Sequence, residues 1–66
     1  MMKIRGRNLK VGDKIMGETV VMISPFREAG YSGNSYIYQA DVTFGSGRVI
    51  KIDEMAHLLV KRDENK

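Results

Sequence analysis

Apolar and polar residues alternate along most of the chain in short runs broken by glycine, a pattern that predicts antiparallel strands. "MKIR" (residues 2–5) reads as a first short strand, and Gly12-Asp13 as a turn left by a strand through Lys14, Ile15 and Met16. "ETVVMIS" (18–24) is dense in β-branched residues and stops at Pro25, which cannot donate to a central ladder. Residues 25–35 hold Pro25, Gly30, Gly33 and Asn34, so they predict one long, adaptable loop. From Tyr36 to Phe44 alternation is regular: Tyr36, Tyr38, Ala40, Val42 and Phe44 share one face.

The stretch "VTFGSGRVIKI" (42–52) allows a test of register. A three-residue loop over Gly45-Ser46-Gly47 sets Val42 opposite Ile50 and Ala40 opposite Ile52. The other face then pairs Thr43 with Val49 and Asp41 with Lys51, an opposite-charge pair. A two-residue loop would mix the faces. The three-residue loop is therefore predicted, with Gly47 at positive φ.

"DEMAHLLVKRDE" (53–64) fits either a helix capped by Asp53 or one helical turn followed by a strand from His57 to Arg62. The second alternative is adopted, because a fifth strand would cover exposed edges. The resulting fold class is all-β: a small five-stranded barrel in one domain, residues 1–62, with a charged tail at 63–66. Its predicted core is Val21, Ile23, Val42, Ile50, Ile52, Leu58 and Val60, with Val20 and Met22 on the opposite face of their strand.

At 66 residues a single core leaves about 3–5 kcal/mol of net stability, so a partner or a homo-oligomer is a reasonable expectation. With no cysteine there is no disulfide, thiolate or Cys-ligated zinc. The longest apolar run, Val20 to Ile23, is too short to span a membrane, and the N-terminus lacks the apolar stretch of a signal peptide. A cytoplasmic setting, in a bacterium or a phage-infected cell, is expected. The net charge of +3 is concentrated at the start, where Lys3, Arg5, Arg7, Lys10 and Lys14 face Asp13 alone.

The short strands, the long early loop and the single turn before the last strand resemble the SH3-like small barrels. "LKVGDKI", with Leu9, Gly12, Asp13 and Ile15, resembles the opening of Hint-type β domains. The nucleophile those domains need is absent, so self-splicing is not implied. "VGDKIMG" is similar to the start of the KOW motif, although the glycine spacing that follows in that motif is missing after Gly17. The "LKVGD" turn with a late "GR" hairpin also resembles small phage-encoded proteins, which implies a modulator of a host protein.

No residue pattern points to catalysis or to a cofactor. His57 is the only histidine and lacks ligand spacing with Asp53 and Glu54. "GSG" and "GYSG" lack the Lys-Ser/Thr and helix of a phosphate loop. The aromatics are the stronger lead: Phe26, Tyr31, Tyr36 and Tyr38 cluster around the long loop with Arg27 among them. Of these, Phe26, Arg27, Tyr31 and Tyr36 are the candidate partner-binding residues of a non-catalytic module that would engage a protein through the 25–35 loop or a strand edge. The alternative is a small nucleic-acid-binding barrel using Lys3, Arg5, Arg7, Lys10 and Tyr31, with cations on phosphates and the ring on a base.

Overall fold

The computed structural model describes residues 1–62, so the charged tail lies outside the described residues. The fold is all-β. Seven strands follow one another: β1 (Met2–Arg5), β2 (Lys14–Ile15), β3 (Glu18–Ile23), β4 (Arg27–Ser32), β5 (Ser35–Phe44), β6 (Val49–Asp53) and β7 (His57–Val60), with a 3-10 turn at Gly6–Asn8 after β1. They form a five-stranded antiparallel sheet in which β5 pairs with β3, β4 and β6, and a two-stranded ribbon of β1 and β7. One Lys14–Lys61 bridge joins the two. The five strands expected from the sequence are thus seven, and neither sheet closes on itself.

The predicted hairpin register is observed. Ala40, Asp41, Val42 and Thr43 pair with Ile52, Lys51, Ile50 and Val49. Gly47 has φ +96°, its amide donates to the Phe44 carbonyl at 2.8 Å, and the Phe44 amide donates to the Arg48 carbonyl. Lys51 Nζ lies 3.0 Å from Asp41 Oδ1. Of the two alternatives for residues 53–62, turn plus strand is the one observed, with β7 ending at Val60 rather than at Arg62. The Ala56 amide closes a turn on the Asp53 carbonyl, and β7 then sends Leu58 and Val60 inward. The turn is a single hydrogen-bonded one and has no helix.

Two expectations are corrected. Residues 25–35 are not one long loop. They hold β4 and a two-residue Gly33-Asn34 turn that pairs Ser32 with Ser35 and Tyr31 with Tyr36. Gly33 at φ +59° meets the demand of such a turn for positive φ at its first central residue. At Pro25 the ladder is only interrupted: Ser24 bonds Asp41 through its amide and its hydroxyl, and β4 resumes along the same edge of β5.

The second correction concerns β3. Val20 pairs with Phe44 and is fully buried, whereas Val21 is half exposed. The register shifts between Val20 and Met22, so Val21 is the extra residue of a β-bulge. Each bulge inverts the inside–outside alternation beyond it. Val20 before it and Ile23 after it therefore both face the core, which comprises Leu9, Val20, Val42, Phe44, Ile52 and Val60, with Ile23, Ile50 and Leu58 packed at its margin.

Candidate functional site

From Phe44 back to Ala40, alternate residues of β5 point into the core. The same row continues past the body as Tyr38 and Tyr36, where no element packs over it: Tyr36 is 57 % and Tyr38 40 % exposed. Tyr31 of β4 stands directly across from Tyr36, with ring centroids 5.2 Å apart and planes tilted by 58°. β4 pairs only with β5, and β6 accompanies β5 only between Gln39 and Thr43. Residues 27–39 are consequently a two-stranded arm standing off the body, and the molecule as a whole measures 41 Å in its longest dimension.

A cleft of about 260 Å³ opens at the root of this arm. Ser35, Tyr36, Ile37 and Tyr38 form one wall, and Asp53, Glu54 and Met55 the other. The Glu54 amide donates to the Tyr38 carbonyl at 2.8 Å and Gln39 Nε2 to Asp53 Oδ1 at 2.6 Å, which fixes the two walls together. The far wall is continued by cations: Arg5 Nη1 donates to the Met55 carbonyl and Arg7 Nη1 to the Met55 Sδ. An aromatic wall facing a methionine with two guanidinium groups behind it can hold a flat or extended polar group.

Of the four partner-binding candidates, the structure brings Tyr31 and Tyr36 together. Arg27 lies on the opposite face of the arm, where its guanidinium binds Asp41 Oδ2 at 3.0 Å. Lys51 and then Arg27 hold the Asp41 carboxyl below the usual carboxylate range. Phe26 is half-buried at the break between β3 and β4. Tyr38 and Met55 complete the cleft, and neither is among the four partner-binding candidates.

The basic candidates divide. β1 ends at Arg5, so Lys3 and Arg5 share the outer face of the β1–β7 ribbon, while Arg7 turns away on the 3-10 turn toward Met55. Lys10 sits on the next turn, where its amide donates to Asp13 Oδ2, and Tyr31 is on the arm. Across the ribbon Lys3 faces Leu59 and Arg5 faces His57, all four outward, and Lys61 follows with Lys14 beside it. Lys14 and Lys61 were missed because their meeting is a product of topology. Among the described residues none of Lys3, Arg5, Lys14 and Lys61 forms an ion pair with a carboxylate, in contrast to Asp13, Glu18 and Asp41, each of which is paired.

No group of His, Cys, Asp and Glu able to hold a metal ion occurs among the described residues, and no helix there is long and apolar enough to cross a membrane. No family model, no curated protein and no solved structure matches this chain.

Proposed function

We propose that this chain is a non-catalytic binding module, an SH3-like small barrel in outline, that engages a protein partner through the β4–β5 arm. One observation carries the reading: the core-facing row of β5 runs on beyond the core as Tyr38 and Tyr36, joined by Tyr31, with the surface left uncovered. Tyrosines supply large contact area at small conformational cost and are enriched among residues that dominate protein interfaces. The outer edge of β4 is a poorer docking element. It carries Arg27, Glu28 and a bulge between Glu28 and Gly30, features that discourage strand addition. Recognition therefore goes through the side-chain face and its cleft, and the phage-protein resemblance makes a host protein the partner to seek.

The test is capture from nuclease-treated bacterial lysate with the wild-type chain and with the Tyr31→Ala/Tyr36→Ala double variant. A protein retained by the first and lost by the second, at unchanged thermal stability, supports the reading. Equal capture by both chains, or none after nuclease treatment, overturns it.

A further inference from the structure

Lys14 and Lys61 exchange both backbone hydrogen bonds, each 2.9 Å long. Such a directly bonded antiparallel pair holds its Cα atoms about 5.5 Å apart with both side chains on the same face. Like charges placed directly opposite each other destabilise a sheet. Nothing among the described residues offsets this repulsion, since neither ammonium meets a carboxylate. Lys3 and Arg5 extend the charge along the same outer face, one strand over, alternating with the inward Met2 and Ile4. A groove of about 300 Å³ lined by Met1, Met2, Lys61 and Arg62 lies at the end of the ribbon.

From this we propose that the outer face of the β1–β7 ribbon, with Lys14 alongside, is a docking surface for the phosphate backbone of a nucleic-acid duplex. The occupant follows from charge and composition. Lys3 and Arg5, at alternate positions of β1, stand about 6.6 Å apart along the strand. Lys61 and Lys14 lie one and two strands over on the same face, which makes a cluster of four cations suited to successive anions. Among the described residues Leu59 and, at the end of the ribbon, Met1 are the large exposed apolar side chains on this face, too little to anchor in a bilayer, and no Phe, Tyr or Trp ring lies there to stack on an unpaired base. Contact is thus with phosphates, independent of sequence, and strongest where charge is densest, on a duplex. This surface does not include the tyrosines of the arm; Arg5 alone is shared, since its guanidinium also reaches the far wall of the cleft at the arm's root.

The test is fluorescence anisotropy with a short labelled duplex at low salt. With four phosphates neutralised, log K is expected to fall against log salt with a slope of about −3 to −4. Lys14→Gln with Lys61→Gln should flatten that slope by about two units. The same double variant should melt at an equal or higher temperature, because the repulsion is gone, so that lost binding cannot be blamed on lost folding. Tyr31→Ala/Tyr36→Ala should leave duplex binding unchanged, which separates this result from failure of the arm. Absence of binding at low salt, an unaltered slope in the lysine variant, or tighter binding to anionic lipid vesicles than to the duplex would overturn the proposal.

Discussion

Arg62 grips Asp13 with two nitrogens, Nε on Oδ1 and Nη2 on Oδ2, each at 2.7 Å across 49 positions of sequence. Asp13 is 1 % exposed, and the Lys10 amide donates to its Oδ2 as well. The Arg62 hydrogen bonds, outweighing burial, hold its carboxyl below the ordinary range. The turn that enters β2 is thereby fastened to the end of the chain beyond β7.

Removing the guanidinium strands a buried carboxylate. Arg62→Ala should cost about 2–4 kcal/mol, most of the stability of a domain this small, as measured by urea unfolding. The pH dependence follows from the direction of the shift. A carboxyl lowered in the fold adds stability that is present above its unfolded value and lost as pH falls below about 4. Wild-type protein should lose stability on acidification through that range, and Asp13→Asn should lose less. A wild-type melting temperature constant from pH 6 to about pH 3 would refute the coupling.

Gly6 should tolerate no side chain. A Cβ there would collide with the Asp53 carbonyl oxygen and lie 2.9 Å from Ile52 Cγ2. The Gly6 and Arg7 amides also donate to the carbonyls of Ala56 and Glu54, which pins this turn against the end of β6. Because the obstacle is backbone, Gly6→Ala should destabilise by about 2 kcal/mol or more. A variant that melts like the wild type would show that the turn can shift.

The bulge in β3 makes neighbouring valines unequal. Val20→Ala should cost about 1–3 kcal/mol through lost burial and a void. Val21→Ala should stay within about 0.5 kcal/mol, as for other surface substitutions. Equal costs would contradict the placement of the extra residue.

Two turns call for opposite substitutions. Met16, 92 % exposed, has φ +51° beside Gly17 at φ +85°, the two-residue hairpin turn that favours Asn-Gly. Met16→Asn should raise stability by about 0.5–1 kcal/mol. Gly47→Val, at φ +96°, should lower it by about 1 kcal/mol or more. Calorimetry on both variants checks the pair, and a Met16→Asn chain less stable than wild type would contradict the first.

The hairpin over residues 42–52 was legible because register, charge pairing and the need for positive φ at Gly47 all agree locally. The valines of β3 were misassigned because a bulge leaves no trace in composition: alternation presumes that no residue is inserted. The arm reads as a loop in the sequence because neither of its faces packs on the core, and "REAGYS" therefore shows no apolar alternation to detect. Its one local signal was Gly33-Asn34 between two serines, a recognised hairpin turn. Tyr31 and Tyr36 stand out in the sequence by residue type alone, and only the pairing of β4 with β5 sets their rings against each other. The Asp13–Arg62 clamp and the Lys14–Lys61 pair join distant segments, and only the topology brings them together.

β5 is a single ten-residue strand whose inner end is embedded around Phe44 and whose outer end carries Tyr36. Mechanically it is a cantilever: a force applied at the tip is resisted by the buried rows at its base. A molecule held on the tyrosines is then held at a set bearing relative to the rest of the domain. Shortening the arm by one Tyr31–Tyr36 rung would alter the reach of the cantilever while leaving its foundation intact.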